Sequence, residues 1–160
     1  TEANGIGLAA IQIGVPERVV IVRLPEPEDD EEGAEEEREI DPNAGKLFVV
    51  INPKLTRQSR DVEEGIEGCL SVPGLVGEVE RHHSVTVKGM DRRGRRVRIK
   101  AHGLLARVFQ HETDHCDGVL FIDRIDDIEK LHQVTEGEEE AAEAAQNPAP
   151  SSTPYSKLDC

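Results

Sequence analysis

The sequence has few aromatic residues, no membrane-length apolar segment and too few cysteines for a disulfide framework. Tryptophan is absent, and the other aromatic residues are one Tyr and three Phe among 160 residues. The core must therefore consist mainly of Val, Ile, Leu and Ala. No apolar run approaches the roughly 20 residues of a transmembrane helix, so we expect no membrane partner. The three cysteines are widely spaced without a CxxC pair, which argues against a secreted disulfide-stapled protein and favours a reducing compartment.

The net charge of −14 is concentrated in two segments. Ten acidic residues lie within residues 26–39 and five within 136–143, whereas the rest of the chain has 18 acidic and 18 basic residues. Such acidic segments cannot bury enough apolar surface to offset the entropy of ordering them. We therefore predict one folded domain, residues 1–134, with a disordered acidic insertion at 25–46, followed by a disordered tail at 135–160. A solvated linker without a partner is the simplest interpretation of the insertion.

Residues 111–115 form a HExxH sequence, and the segment from Gly103 to Cys116 that contains it has the pattern of a helix. At roughly 100° per residue, His111 and His115 lie within about 40° of each other, one turn apart. Glu112 lies to one side, within reach of a water on a metal held by the two imidazoles. This is the usual helical half of a metal-dependent hydrolase site. The alternative is a chance pair of core histidines.

A catalytic metal site needs a third protein ligand and one open position. The sequence continues after His115 like the metzincin motif HExxHxxGxxH, but Phe121 occupies the position of its last histidine. Cys69 is the candidate third ligand, because its glycine-flanked turn would present a thiolate with little crowding. The alternative is an inert buried thiol, the commoner fate of a free cysteine.

β-Branched and alternating segments ahead of the helix predict four strands, at residues 18–24, 47–51, 84–87 and 96–101. Asn52-Pro53 should end the second strand, and the last two should form an antiparallel hairpin across residues 91–94. The basic residues of this hairpin are Arg92, Arg93, Arg95, Arg96, Arg98 and Lys100. They could form an RNA-facing patch, but with no aromatic residue interleaved a solvated face is the favoured interpretation.

The segment after the helix should begin with a left-handed cap at Gly118. We expect an extended segment at 119–122 and then a short amphipathic helix at 123–134. The inward side of this helix would carry Ile125, Ile128 and Leu131.

Three separated motifs together resemble the peptide deformylase family. They are GIGLAAIQ at residues 5–12, EGCLS at 67–71 and QHETDHCDG at 110–118, where the family carries GxGxAAxQ, EGCxS and HExDH in this order. The resemblance implies an α+β fold in which antiparallel β-sheets surround a central helix bearing HExxH. It also implies that the chain is N-terminally truncated, since other members carry a helix before the first motif. Thr113 and Cys116 differ from the family's usual larger apolar residues, and we interpret Cys116 as a core thiol.

The resemblance implies a metal-dependent hydrolase that removes the formyl group from the N-terminal formyl-methionine of newly made polypeptides and releases formate. One divalent metal would be held by Cys69, His111 and His115. Fe²⁺ is the expected metal, with Zn²⁺, Ni²⁺ and Co²⁺ as alternatives. The substrate-binding residues implied by the resemblance are Ile6, Gly7, Gly68, Leu104 and Val108.

The resemblance also assigns roles around the metal. Glu112 would take a proton from the attacking water and return it to the leaving amine. The Gln12 amide and the Leu70 backbone N–H would stabilise charge on the formyl oxygen. Glu67 and Arg81 correspond to a family ion pair that braces the cysteine loop.

The expected partners are a formyl-Met nascent peptide and the ribosome, without direct nucleic-acid readout and without a membrane. We expect a cytoplasmic location, while the absent N-terminal segment leaves an organellar one open. Two alternative functions remain open on the sequence alone. One is a zincin-like metalloprotease. The other is a non-catalytic protein, either an inactive deformylase fragment or a ribosome-associated binding module that uses the basic hairpin. Metal content and hydrolysis of a formyl-Met peptide would distinguish them.

Overall fold

The computed structural model describes residues 6–26 and 42–134. The strands are β1 (Gly7–Ala9), β2 (Val19–Arg23), β3 (Leu47–Thr56), β4 (Val62–Gly68), β5 (Leu75–His82), β6 (Ser84–Met90), β7 (Arg96–His102) and β8 (Leu131–Gln133). The helices are α1 (Gly103–Cys116) and short 3₁₀ helices at Ala10–Ile13, Phe121–Arg124 and Ile128–Lys130. Most of the predicted insertion and the predicted tail lie outside the described residues. Within the described part, no helix is long and apolar enough to span a bilayer.

Five strands form sheet A, in the order β1-β2-β3-β6-β7, and every neighbouring pair is antiparallel. Alternation explains its two faces: on β2, Val20 and Val22 are buried while Ile21 and Arg23 are exposed. The predicted β6–β7 hairpin is confirmed, with Met90 opposite Arg96 at its closed end. Sheet A therefore presents one aliphatic face for packing and one outer face.

The remaining three strands form sheet B, in the order β4-β5-β8. These strands were not predicted from the sequence, because β4 (VEEGIEG) has few apolar residues and most of its side chains are exposed or half-buried. Pairing with β5 places Glu63 opposite Arg81 and Glu67 opposite Gly77, so Glu67 and Arg81 lie on the same face of the sheet. Both of these charged side chains are buried. Sheet B thus carries an acidic and a basic group into the interior.

Helix α1 packs on the aliphatic face of sheet A and also contacts sheet B, so the predicted α+β fold with antiparallel sheets and one central helix is confirmed. Its predicted bounds, Gly103–Cys116, agree with the structure. Phe109 of α1 and Phe48 of β3 meet edge to face, with ring centroids 5.7 Å apart. Gly118 takes the left-handed conformation after the helix (φ 75°), as predicted. Burial of α1 on nearly all sides fixes the direction of its histidines.

The predicted end of β3 at Asn52-Pro53 is wrong. The strand continues to Thr56, and its register against β6 shifts between Ile51 and Lys54. Asn52 absorbs the irregularity with a left-handed backbone (φ 53°), which is tolerated well by Asn. A bulge therefore replaces the expected strand end and carries Lys54 into the sheet.

The predicted conformations after Gly118 are also wrong. The segment expected to be extended includes the 3₁₀ helix that begins at Phe121, and the expected helix at 123–134 is replaced by a 3₁₀ turn and strand β8. Ile125 and Leu131 pack against a cluster around Phe121 as expected, whereas Ile128 is 73% exposed. Pairing of β8 with the edge of β5 explains the difference, because a three-residue strand leaves almost no periodic signal.

Candidate active site

Three side chains that could hold a metal ion converge between α1 and the end of β4. The Cys69 Sγ lies 3.2 Å from His115 Nε2, and the two Nε2 atoms of His111 and His115 lie 3.1 Å apart. All three donor atoms lie within 4.8 Å of one another. The structure therefore brings together the three ligands predicted from sequence.

Cys69 lies immediately after β4, in a turn closed by a hydrogen bond from the Val72 N–H to the Cys69 carbonyl (2.8 Å). Burial raises the pKa of the thiol, but hydrogen bonds from His111 and His115 outweigh burial and lower the pKa to about 5. The cysteine is therefore a thiolate at neutral pH in this environment, which is the form that binds metals.

Glu67 holds His111 from the side opposite the cysteine. Its Oε2 lies 2.9 Å from His111 Nδ1, which directs the other ring nitrogen, Nε2, at Cys69 and His115. Arg81 donates to both oxygens of Glu67 at 2.8 Å, so the predicted ion pair is confirmed. Burial raises the pKa of Glu67, yet the hydrogen bonds from Arg81 and His111 lower it to about 2. A buried carboxylate thus orients one of the candidate ligands.

Arg107 is a second arginine on this carboxylate, and it was not predicted from the sequence. Its guanidinium donates to Glu67 Oε1 (3.0 Å) and to the carbonyls of Val79 (2.9 Å) and Glu63 (2.6 Å). It is four residues before His111, and residues at that spacing share a helix face, so the spacing itself was a usable signal. Arg107 joins α1 to both β4 and β5 beside the site.

Asp114, on a neighbouring side of α1, forms ion pairs with two arginines. It accepts from Arg81 (2.6 Å) and from Arg124 (2.5 Å), and it is buried. Gln110, on the same side, exchanges hydrogen bonds with the backbone of His82. This side of α1 is therefore packed against sheet B by polar contacts.

Glu112 lies beside the three donors in a position suited to proton transfer. The residue is 4% exposed, and its Oε2 has no hydrogen-bond partner within the described residues. Burial raises the pKa of Glu112 to about 7, against the opposing charges of His111 and His115. Gly7 on β1 approaches so closely that a Cβ there would lie 2.3 Å from Glu112 Oε1. Only glycine leaves room for the carboxylate at this position.

Gln12 reaches the site from the 3₁₀ helix that follows β1. The Ala9 N–H donates to its Oε1 at 2.8 Å, which turns its amide nitrogen toward the cysteine turn. That nitrogen lies 3.2 Å from Ser71 Oγ and 3.5 Å from Cys69 Sγ. An N–H donor is therefore held next to the donor cluster.

A cleft with a volume of about 50 Å³ opens onto these groups. The predicted substrate residues that line it are Ile6, Gly7, Gly68 and Val108, together with the predicted oxyanion residues Gln12 and Leu70. Leu104 does not line the cleft and packs instead against the core of sheet A. Arg107 also lines the cleft, which was not predicted from the sequence.

The donor set fits a divalent transition metal. Two imidazoles and a thiolate suit Zn²⁺ and similar ions, and at metal–nitrogen distances of about 2.0–2.1 Å a tetrahedral geometry separates two nitrogens by roughly 3.3 Å. The 3.1 Å between the two Nε2 atoms is close to this separation. Glu112 lines the same cleft as Cys69 and His111, so a metal held there would have this carboxylate beside it.

Comparison with known proteins decides the family. The sequence model of polypeptide deformylase matches residues 1–131. The chain belongs to this family. A peptide deformylase of Thermomicrobium roseum is 52% identical over 144 residues, 89% of this chain and 75% of that protein. The peptide deformylase of Roseiflexus castenholzii is 48% identical over 137 residues, 85% of this chain and 72% of that protein.

Solved structures of peptide deformylases have the same fold. The Met-Ala-Ser-bound crystal structure of the Acinetobacter baumannii class I type b enzyme has a TM-score of 0.64 at 36% identity, covering 76% of this chain and 71% of that chain. The Ehrlichia chaffeensis peptide deformylase has a TM-score of 0.64 at 33% identity, covering 89% and 72%. The predicted family is thus confirmed.

The family determines the type of reaction. Peptide deformylases are metal-dependent hydrolases that remove the formyl group from the N-terminus of formyl-Met polypeptides, and this chain is such an enzyme. The family implies a divalent metal, and the cluster of one cysteine and two histidines can hold one. The alternatives of a zincin-like metalloprotease and an inactive fragment are not favoured.

Proposed function

We propose that Cys69, His111 and His115 hold one divalent metal and that this metal is Fe²⁺ in the cell. The convergence of their three donor atoms supports the assignment. The same soft and intermediate donors accept Zn²⁺, Ni²⁺ and Co²⁺, which we propose as substitutes. When bound, the metal supplies a Lewis acid that lowers the pKa of water and polarises a carbonyl. Metal analysis of protein purified without oxygen tests the identity of the ion.

Glu112 is the general base and acid in this proposal. It takes a proton from the water that attacks the formyl carbon and passes that proton to the amine that leaves. A pKa of about 7, raised by burial, suits a group that must both accept and donate a proton near neutral pH. Its Oε2 is free to accept, because it has no partner within the described residues.

Two donors stabilise negative charge on the formyl oxygen. The Gln12 amide nitrogen is held in place by the hydrogen bond between its own oxygen and the Ala9 N–H (2.8 Å). The Leu70 backbone N–H belongs to the turn that Val72 closes. Donors fixed before the reaction need no reorganisation when charge develops.

The substrate is the formyl-Met end of a nascent peptide, with its side chain against Ile6 and Val108 and its backbone along Gly7 and Gly68. These four residues line the cleft beside Glu112. Leu104 remains a prediction without support from the cleft. We further propose that the enzyme works in the cytoplasm, as expected from its bacterial relatives, and meets its substrate at the ribosome.

The observation that carries this proposal is Glu112 Oε2, which is buried and has no hydrogen-bond partner within the described part of the chain, beside three convergent donor atoms. Glu112→Gln keeps the shape but removes the base, so kcat for formate release from formyl-Met-Ala-Ser should fall at least ~10²-fold. The variant should still bind one metal per chain, because Glu112 is not a ligand.

Glu129→Gln is the matched control, since Glu129 is exposed and belongs to the turn before β8. It should retain the parent rate. An active Glu112→Gln protein would refute the assignment of the base, and an equal loss in both variants would point to a defect unrelated to it.

A further inference from the structure

The outer face of sheet A carries a row of basic residues that crosses three strands in register. Lys54 on β3 is paired with Lys88 on β6, and Lys88 is paired with Arg98 on β7. Arg96 and Lys100 lie two residues to either side of Arg98 on the same exposed face of β7. We call these five residues, Lys54, Lys88, Arg96, Arg98 and Lys100, the cationic face.

Within the described part of the chain, no carboxylate neutralises the cationic face. All five side chains are exposed, and within residues 6–26 and 42–134 none of them forms an ion pair or a side-chain hydrogen bond. Their cross-strand partners are the basic residues themselves or the uncharged Thr86 and Met90. Like charges directly opposite each other destabilise a sheet, so this arrangement costs stability in the absence of an anion.

The spacing of the cationic face is set by the sheet. Adjacent strands lie about 4.8 Å apart and alternate residues about 6.8 Å apart, so the five charges occupy roughly 10 by 14 Å. A rigid array of this density matches a polymer with closely spaced negative charges better than a single small anion. The face is opposite to the side of sheet A that packs on α1, so it does not belong to the catalytic cleft.

We propose that the cationic face binds RNA through backbone phosphates, without reading sequence. RNA supplies a dense row of phosphates, and phosphate contacts position a protein without specifying bases. The absence of aromatic residues on this face excludes base stacking but not phosphate contacts. It also lacks the Trp, Phe or Leu side chains that anchor a protein in a lipid interface. The choice of RNA over an acidic protein rests on the proposed function, since nascent chains are made on RNA-rich particles.

The overall charge of the chain makes a sharp test available. Because the net charge is −14, RNA is repelled by the protein as a whole, and binding must come from a local surface. The test measures fluorescence anisotropy of two labelled RNA duplexes of unrelated sequence and equal length, about two helical turns, with full-length protein, from low to moderately high salt. Lys88→Gln/Arg98→Gln removes two charges of the face. Arg23→Gln/Lys130→Gln removes two charges that have carboxylate partners elsewhere, Glu26 and Glu64.

We expect both duplexes to bind the parent with equal affinity and a steep salt dependence. Lys88→Gln/Arg98→Gln should weaken binding at least about tenfold at roughly 100 mM salt. The slope of log K against log[salt] should become shallower by about 2, because each lost phosphate contact contributes roughly 0.9 to that slope. Arg23→Gln/Lys130→Gln should stay within about twofold of the parent. Circular dichroism and hydrolysis of a short formyl peptide should be unchanged in both variants, which separates this proposal from the proposed reaction.

Three results would overturn the proposal. They are an equal loss of affinity in both double variants, no binding of RNA by the parent at the lowest salt concentration, and tighter binding to phosphatidylserine vesicles than to either duplex. The last result would assign the cationic face to a membrane surface. Because the assay measures RNA binding alone, a failure to deformylate peptides would leave its outcome unaffected.

Discussion

Replacing Gly7 with alanine should lower the catalytic rate strongly while it reduces the stability of the fold only slightly. The new Cβ would lie 2.3 Å from Glu112 Oε1, 2.8 Å from its Cδ and 2.9 Å from its Cγ. Distances below 3.0 Å are essentially never seen for a real Cβ, so something must move. The atoms in the way belong to the far end of one side chain, and the carboxylate can therefore shift while the backbone stays in place.

The structure gives the size of both effects. Ordinary contact begins near 3.4 Å, so the carboxylate of Glu112 must move by about 1 Å. A misplacement of roughly 1 Å in a catalytic group can lower the rate about 10²-fold. Forcing the side chain away from its preferred rotamer costs roughly 0.5–1.5 kcal/mol. Gly7→Ala should therefore lower kcat by about two orders of magnitude, with a small loss of stability and one metal still bound per chain.

Gly94→Ala is the matched control, with the opposite expectation. Gly94 has a left-handed backbone (φ 76°) in the β6–β7 turn, and within the described residues nothing lies within 4 Å of the position that a Cβ would take. Alanine there should cost roughly 1–2 kcal/mol of stability and leave kcat unchanged. Formate release, metal content and thermal melting are measured for both variants. Full activity of Gly7→Ala, or loss of its metal, would refute the reasoning.

Three further results are expected. Arg107→Met should lower the free energy of unfolding by about 1.5–3 kcal/mol, measured in urea, because it removes a charged hydrogen bond from buried Glu67; an unchanged midpoint would contradict this. Air exposure of the iron-loaded enzyme should inactivate it and oxidise Cys69, whereas the nickel form should survive. Peptide mass spectrometry checks this, and equal inactivation of both forms would count against it. Replacing 27–41 by a short glycine linker and removing 135–160 should keep turnover within a few-fold, and a severe loss would show that one of these segments contributes to the site.

The candidate site was predictable because its residues lie in short, chemically specific motifs. His111, Glu112 and His115 follow from helical periodicity, and Cys69 follows from the need for a third ligand. The structure brings the donor atoms of Cys69, His111 and His115 within 4.8 Å of one another, and Glu112 lines the same cleft. Arg107 was missed because an arginine on a helix is usually taken to face solvent, although its spacing from His111 places both residues on one helix face.

The parts of the fold that could not be predicted depend on long-range pairing. Strand β4 has little apolar pattern of its own and is stabilised by β5 and by the carbonyl contacts of Arg107. Strand β8 has three residues and exists because β5 offers an edge. The bulge at Asn52 likewise follows from the register with β6. No local periodicity reports any of these pairings.

The cationic face is a further feature that depends on long-range strand pairing and could not be predicted from the sequence. From sequence alone its hairpin was interpreted as a solvated surface, because no aromatic residue is interleaved with its basic residues. Continuation of β3 past Asn52-Pro53 brings Lys54 opposite Lys88 and turns a basic hairpin into a three-strand row. The incorrect end of β3 therefore concealed the feature on which the RNA proposal rests.

Titration of Fe²⁺ into metal-free protein under anaerobic conditions tests the central claim most directly. The rate of formate release from formyl-Met-Ala-Ser should rise linearly to one equivalent of metal and then remain constant. Cys69→Ala should neither retain one metal per chain nor turn over, because two histidines alone do not complete the site. Undiminished activity of Cys69→Ala, or absence of formate from fully loaded parent protein, would contradict the account.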